Sequence, residues 1–240
     1  MEHAVTIPWA KLKEVEEKVA MTLAARQIMM VWGNPGTGKT HALRYALRAH
    51  VFAELVFSET PNRKETVDAI HVALFGRPGQ GNSGQIERQL KIAFAERDVI
   101  LVVEEFESLN NKRLHLVRTL QDFAGSRLTV FLVGDESSRT EVDRDRRLSR
   151  RILTDVHFEP MTQKAVVEHL PSYHPLFAGA GRSRLAQLYQ ECFDGNWGEI
   201  ARWTRIAEYT AAEEGASMLT KELIAKVQAR FWMPGNAVAG

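Results

Sequence analysis

Two stretches of the sequence carry residues whose types and spacing could do chemistry. The first is GNPGTGKT, residues 33–40, which fits the pattern G-x-x-x-x-G-K-[ST] at every fixed position. Glycines let consecutive backbone N–H groups turn toward one anion, a lysine can reach phosphate oxygens, and a threonine hydroxyl can bind Mg²⁺. The pattern therefore predicts a loop that binds ATP and Mg²⁺, formed by Gly33, Asn34, Pro35, Gly36, Thr37, Gly38, Lys39 and Thr40.

The second stretch is ILVVEEFESL, residues 100–109, where apolar residues run into the adjacent pair Glu104 and Glu105. Two like charges side by side repel, and each resists desolvation, so such a pair at the end of a buried strand needs an explanation. One interpretation is a strand that simply ends in water. The other is phosphoryl transfer, which needs acids on a second strand to hold Mg²⁺ and to activate water. Because successive residues of a strand point to opposite faces, we expect the two carboxylates to face different ways.

Apolar strands alternate with amphipathic helices through the first two thirds of the chain. Strands are predicted at 28–32, 54–58, 99–103, 128–134 and 152–158. Unalternating apolar strands separated by helices predict a parallel sheet covered on both faces, which is the α/β fold of a P-loop NTPase. Ligands of such sheets bind at the carboxyl ends of the strands, so the glycine-rich loop and the two glutamates should share one edge.

The pattern changes after Pro160. Four helical segments follow, TQKAVVEHL, SRLAQLYQECF, NWGEIARWTRIAEYTAAEE and TKELIAKVQARFW, separated by turn-rich stretches. We therefore predict a nucleotide-binding α/β domain over 1–160, a small all-helical lid domain over 161–233, and a frayed tail over 234–240.

Composition narrows the class of protein. Hydrophobic residues make up 45% of the 240 and charged residues 25%, which is typical of a soluble globular chain, and no apolar run is long enough to span a membrane. The N-terminus lacks the pattern of a signal peptide. The single cysteine, Cys192, excludes an internal disulfide framework and is predicted to be inert. We expect a cytoplasmic protein.

Charge is balanced overall but unevenly distributed. The net charge is +1, while RTEVDRDRRLSRR, residues 139–151, packs six arginines among three acids. That run is either a solvated, salt-bridged face or a source of positive charge for a transition state. Two basic pairs near helix starts, Arg63 with Lys64 and Lys112 with Arg113, are either DNA phosphate contacts or ordinary surface charge.

The run from GNPGTGKT through ILVVEEFESL, VFLVGDESSR, RLSRRI and DGNWGEIARW resembles AAA+ ATPases. Within these, the chain is most similar to the transposition regulators of the TniB/TnsC/MuB group, over nearly its whole length. The resemblance implies that Glu104 binds Mg²⁺ and that Glu105 activates water. Asp135 would be the sensor at the end of the strand that lies between the strand of the glycine-rich loop and the strand of the two glutamates. The resemblance also implies that Arg151 reaches a neighbouring subunit's nucleotide, with Arg147 and Arg150 as the alternatives.

Two positions depart from the family pattern. The family usually has aspartate where Glu104 stands, and the extra methylene predicts slow hydrolysis because phosphoryl transfer depends on position. Many AAA+ lids carry an arginine where this chain has Gly198, with Arg202 one turn further along.

The function implied by the resemblance is an ATPase that oligomerises on double-stranded DNA in its ATP state. It would form a homo-oligomeric ring or helical filament and recruit or stimulate a transposase. The alternative is a nucleotide-switched interaction module, such as a loader, chaperone or signalling ATPase, without direct duplex binding.

Overall fold

The computed structural model describes residues 9–56, 61–108, 111–123 and 125–232. The predicted tail at 234–240 and the end of the predicted second strand, 57–58, lie outside these residues. The described chain divides into two compact units. One contains Ala10–Asn34 and Lys39–Phe158, and the other contains Pro35–Gly38 and the chain from Glu159.

A five-stranded, all-parallel sheet organises the first unit, as the sequence predicts. Its order is β2-β3-β4-β1-β5. The strands are β1 (Ile28–Gly33), β2 (Ala53–Val56), β3 (Val99–Glu104), β4 (Leu128–Gly134) and β5 (Ile152–Phe158). The strand that follows the glutamate strand in sequence, β4, therefore lies between β3 and β1 and separates the two chemical stretches in space.

Helices cover this sheet. They are α1 (Trp9–Ala25), α2 (Lys39–Ala46), α3 (Arg63–Phe75), α4 (Ser83–Glu96), α5 (Asn111–Asp122), α6 (Glu136–Arg144) and α7 (Arg146–Ser149). Every residue of β3 and β4 is buried, which explains their unbroken apolar sequences, whereas the edge strand β5 is partly exposed. The central strands thus hold their carboxyl ends rigidly in place.

Capping explains where two of these helices begin. Asn62 and Glu65 form a capping box at the start of α3. A second box, Asn82 with Gln85, starts α4 at Ser83. In each box the asparagine satisfies N–H groups that would otherwise be left to water, which fixes where the helix begins.

The second unit is helical after Pro160. Its helices are α8 (Gln163–Tyr173), α9 (Pro175–Ala178), α10 (Arg182–Leu188), α11 (Trp197–Glu214) and α12 (Lys221–Phe231). Trp203 is fully buried and packs with Phe177 and Phe193 at ring distances of 5.8 Å each. The short α9 was not predicted, because its turn-rich segment hides a proline that is well placed at a first helical position.

Residues Tyr189–Phe193, predicted as the end of an α-helix, form a π-helical turn instead. This turn carries Cys192, whose thiol pKa is raised by burial, in agreement with an inert cysteine. Among the residues that the structure describes, no helix is long and apolar enough to cross a membrane.

Gly33 generates a prediction about the sheet. Its φ is +140°, and a Cβ built on it would lie 2.1 Å from the carbonyl oxygen of Phe158 on β5. Gly33→Ala should therefore lower the free energy of unfolding by about 2–4 kcal/mol even without nucleotide, because strain and overpacking add. Urea denaturation followed by circular dichroism measures this.

Gly84→Ala is the matched control, because a Cβ at that helical glycine meets nothing closer than 3.5 Å. The control should be neutral or slightly stabilising. Equal stability of Gly33→Ala and the wild type would show that β5 does not require a glycine at this position.

Candidate nucleotide-binding site

The glycine-rich loop connects β1 to α2, and its backbone has the conformation that its glycines predict. Gly33, Gly36 and Gly38 all have positive φ, at 140°, 77° and 92°. Side-chain-bearing residues rarely adopt these angles, so the glycines are needed for the loop to turn its N–H groups in one direction. The loop ends at Lys39, the first residue of α2, where a helix N-terminus favours anions.

Lys39 is fixed above the start of the loop. Its Nζ donates to the carbonyl oxygens of Gly33 at 2.7 Å and Asn34 at 2.9 Å. Burial lowers the pKa of the ammonium group, while nearby carboxylates, with Glu107 the strongest, oppose that shift. An ammonium group has three donors, so the two bonds leave one N–H for a phosphate oxygen.

Thr40 and Glu104 are brought together across the sheet edge. The Thr40 hydroxyl donates to Glu104 Oε2 at 2.7 Å. Glu104 is the last residue of β3 and only 8% exposed. Its second oxygen, Oε1, is buried without a hydrogen-bond partner among the described residues. Burial raises the pKa of the Glu104 carboxyl, although the Thr40 hydrogen bond acts in the opposite direction.

This geometry suits Mg²⁺. A hydroxyl and a carboxylate are oxygen ligands of the kind that the ion prefers, and an unpartnered buried oxygen is a position that a cation would satisfy. Within the described ranges no group of three or more His, Cys, Asp or Glu residues could hold a metal ion. Thr40 and Glu104 would therefore share the ion with phosphate and water, as is usual for magnesium in nucleotide sites.

Asp135 follows β4 and caps α6. Its Oδ1 accepts from the Ser138 N–H at 3.1 Å and from the Ser137 hydroxyl at 2.6 Å. Burial acts to raise the pKa of this carboxyl, but the hydrogen bonds from Ser137 and Ser138 outweigh it and the pKa is lowered. Asp135 is thus an oriented carboxylate with a lowered pKa, directly after the strand that lies between β1 and β3, and its role as the sensor stays a prediction.

Comparison with known proteins bears on this arrangement. The family model described as "AAA domain" matches residues 23–141. The chain contains an AAA-type ATPase domain. Among curated protein sequences none matches the chain.

Solved structures share the fold of the AAA domain and the helices after it. The Aeropyrum pernix ORC2 protein in ADPNP–ADP complexes matches with a TM-score of 0.75 at 15% identity, covering 98% of this chain and 71% of that one. Cdc6p from Pyrobaculum aerophilum gives 0.75 at 18%, covering 96% and 70%. The Aeropyrum pernix ORC1 protein in complex with DNA gives 0.66 at 17%, covering 94% and 66%. At these identities the likeness establishes the fold.

Glu105 does not continue the strand of the AAA domain. Its φ is +49° and its side chain is exposed, so the prediction that strand alternation separates the two glutamates is wrong. The chain turns here because Phe106, fully buried, begins a short 3₁₀ helix, Phe106–Ser108. A glutamate in the left-handed region is a strained residue of the kind that is found at functional sites.

A third acid of the same stretch was missed in the sequence. Glu107 Oε2 accepts from the Ser138 hydroxyl at 2.9 Å, and of the carboxylates that raise the pKa of Lys39 it has the largest effect. The available signal was its spacing, three residues after Glu104, which in a tight turn returns a side chain to the same side. The stretch that follows β3 therefore contributes Glu107 as a further acid, in addition to Glu104, Glu105 and Asp135.

The arginine-rich run is divided between internal pairs and exposed residues. Arg151, the predicted trans-acting residue, pairs with Asp122 of α5 at 3.2 Å. Arg139 pairs with Asp143 and Asp155. Arg147 and Arg150 are exposed and have no ion pair with the residues that the structure describes. Of the three candidates for the trans-acting arginine, Arg147 and Arg150 are therefore the two whose side chains form no ion pair within the described chain.

The two predicted DNA contacts on α3, Arg63 and Lys64, also form ion pairs within the chain. Arg63 makes two hydrogen bonds with Glu87, at 2.7 and 2.9 Å, and Lys64 pairs with Asp68. The side chains of Lys112 and Arg113 lie outside the described part of the chain. In the helical unit, Arg202 donates to the Phe231 carbonyl at 2.9 Å and to Glu199, and lies over the Phe231 ring. Arg202 is therefore held by its own unit.

The buried carboxylate generates a prediction. Because folding raises the Glu104 pKa, the wild type is most stable with Glu104 protonated and loses that advantage as pH rises through its folded pKa. Glu104→Gln should therefore be at least as stable as the wild type at pH 7, with the difference vanishing below about pH 4.5, the ordinary glutamate pKa.

Thermal denaturation across pH, without nucleotide or metal, measures this difference. Glu105→Gln is the control, because that carboxylate is already exposed to water. A Glu104→Gln protein that is clearly less stable than the wild type at pH 7 would show that the Thr40 hydrogen bond outweighs the desolvation of Glu104.

Proposed function

We propose that this protein is a Mg²⁺-dependent ATPase that assembles on double-stranded DNA in its ATP state and recruits or stimulates a transposase. The observation that carries the ATPase is the Thr40–Glu104 hydrogen bond beside an unpartnered Glu104 oxygen. A buried polar oxygen without a protein partner is usually satisfied by an ordered water or an ion, so this oxygen is available to a cation. The loop of Gly33–Thr40 adds the phosphate donors.

The residues of the chain divide the work of hydrolysis. Lys39 neutralises phosphate charge, while Thr40 and Glu104 hold Mg²⁺, which supplies Lewis-acid stabilisation of the transferring group. Glu105, exposed beside Glu104, is the residue that orients the attacking water. Its left-handed backbone and the longer Glu104 side chain favour a slow enzyme, because rate depends on placement within fractions of an ångström.

Homo-oligomerisation as a ring or filament follows from the arginines. A nucleotide site is completed by positive charge at the transition state, and an arginine supplied from a neighbouring subunit is a known way to provide it. Arg147 and Arg150 are exposed on α7 and just after it, without partners in the described chain. Together with Arg151 they form the segment that would reach the next subunit.

The DNA and transposase parts rest on resemblance. The motifs RLSRRI and DGNWGEIARW resemble those of the TniB/TnsC/MuB transposition regulators. A protein of similar fold, the Aeropyrum pernix ORC1 protein, has been seen in complex with DNA. Duplex binding would use Lys112 and Arg113 at the start of α5, with Arg63 and Lys64 contributing if their ion pairs open.

One observation favours the alternative of a nucleotide-switched interaction module without duplex binding. Both basic side chains described at the start of α3 are neutralised by carboxylates, and the net charge of the chain is only +1. Binding of DNA by such a surface would be weak and strongly dependent on salt.

An assembly experiment distinguishes the ATPase that binds duplex DNA from the interaction module that does not. With Mg²⁺, a slowly hydrolysed ATP analogue and duplex DNA, the wild type should form rings or filaments visible by electron microscopy, and omission of either DNA or nucleotide should abolish them.

Lys39→Ala should bind nucleotide about 10- to 100-fold more weakly, because it loses a charge-assisted phosphate bond, and should not assemble. Lys13→Ala, an exposed lysine of α1, is the control. Assembly that ignores DNA would favour the interaction module.

A mixing experiment tests the trans arginine. The double variant Arg147→Ala/Arg150→Ala should lose about 100-fold or more in ATP turnover while it still binds nucleotide. Mixed with Glu105→Gln, which keeps its arginines and its phosphate loop but lacks the carboxylate that orients water, it should recover activity, since each subunit then supplies what the other lacks. Arg144→Ala, in the same run, is the control. No recovery on mixing, with both proteins in the oligomer, would remove this pair from the trans role.

A further inference from the structure

Two carbonyl groups at the tip of the phosphate loop accept hydrogen bonds from residues at the start of α11. The Asn196 side chain donates through Nδ2 to the Pro35 oxygen at 3.1 Å. The Gly198 N–H donates to the Gly36 oxygen at 2.9 Å. All four residues belong to the same compact unit, in which Pro35–Gly38 is grouped with the helices that follow Glu159.

These bonds set the direction of the N–H groups next in the chain. In a planar trans peptide the carbonyl and the following N–H point opposite ways. With the Pro35 and Gly36 carbonyls held toward α11, the N–H groups of Gly36 and Thr37 must point away from it. Those two N–H groups belong to the segment of the loop whose backbone donors bind phosphate.

Asn196 is itself held in place. Its Oδ1 accepts from the Glu199 N–H at 3.2 Å and so caps α11, which leaves Nδ2 for Pro35. The turn before it is fixed by a hydrogen bond from the Met161 N–H to the Gly195 carbonyl at 2.9 Å. One amide therefore serves the helix with its oxygen and the loop with its nitrogen.

Close approach is required on both sides of this contact. Gly36 has a φ of +77°, and a Cβ on it would lie 2.2 Å from Asn196 Oδ1. A Cβ on Gly198 would lie 3.4 Å from Gly36 Cα and 3.1 Å from Asn196 Oδ1. An arginine at position 198, which many AAA+ lids carry, would crowd the contact. Its replacement by glycine in this chain is thus matched to the hydrogen bond with the loop.

We propose that Asn196 is a positioning residue for nucleotide binding, whose amide orients the phosphate donors of the loop and makes nucleotide affinity depend on the start of α11. This inference rests on the proposed nucleotide-binding function of the loop and adds a regulatory element to it. A change at the start of α11 would alter the orientation of the Pro35 and Gly36 carbonyls directly, and would act on nucleotide binding through the loop.

Asn196→Ser tests the proposal. Serine still caps a helix, but its side chain is too short to reach Pro35. We expect a folded protein with an unchanged circular dichroism spectrum and an affinity for a fluorescent ATP analogue that is about 3- to 10-fold weaker, the effect of one hydrogen bond. KM for ATP should rise by a similar factor, while kcat changes less, because Asn196 acts on binding.

Thr220→Ala is the control for lid stability, because it removes the cap of α12, a 3.1 Å bond from the Leu223 N–H, without touching the loop. Wild-type affinity in Asn196→Ser, with binding lost in Lys39→Ala, would overturn this proposal and leave the nucleotide-binding function standing. Equal weakening in Thr220→Ala and Asn196→Ser would also overturn it, since lid stability alone would then explain the effect. A wild type that does not bind nucleotide would overturn both.

Discussion

The hydrogen bond from Thr40 to Glu104 is the interaction on which the candidate nucleotide site depends. It joins the start of α2, which follows β1, to the end of β3, although β4 lies between β1 and β3 in the sheet. One carboxylate oxygen is satisfied and the other is buried without a partner among the described residues. The fold therefore holds a carboxyl group that its own donors do not complete, and the proposed Mg²⁺ would satisfy the remaining oxygen.

The sheet determines how far apart the two partners of this hydrogen bond are held. With β4 interposed and neighbouring strands about 4.8 Å apart, β1 and β3 lie roughly 10 Å apart, so contact between the start of α2 and the end of β3 depends on the reach of the Thr40 and Glu104 side chains. A glutamate is longer than the aspartate that the family usually carries, and the direct 2.7 Å contact shows that it spans the distance. The departure from the family pattern therefore preserves contact with Thr40.

Local features of the sequence were sufficient to predict the strands and the glycine-rich loop, because each depends on residues within a few positions of each other. The position of Asp135 was implied by the family resemblance. The left-handed turn at Glu105 was missed because it is imposed by the burial of Phe106, a tertiary effect. The pairs Arg63–Glu87 and Arg151–Asp122 were missed for the same reason, since their partners are distant in the sequence and carry no periodic signal.

Arg63 and Arg151 differ in how deeply their carboxylate partners are buried, and this decides how easily each can bind an external anion. The Glu87 side chain is 10% exposed, so releasing Arg63 to a DNA phosphate would leave a nearly buried carboxylate without its guanidinium, at a cost on the order of 1–3 kcal/mol. Asp122, the partner of Arg151, is more exposed than Glu87, at 21%, and exposed pairs contribute about 0–1 kcal/mol. Arg151 can therefore leave its partner for a neighbouring subunit's phosphate at little cost, as Arg147 and Arg150 can at none. The energetics thus favour the arginine segment over the start of α3 as the surface that meets an external anion.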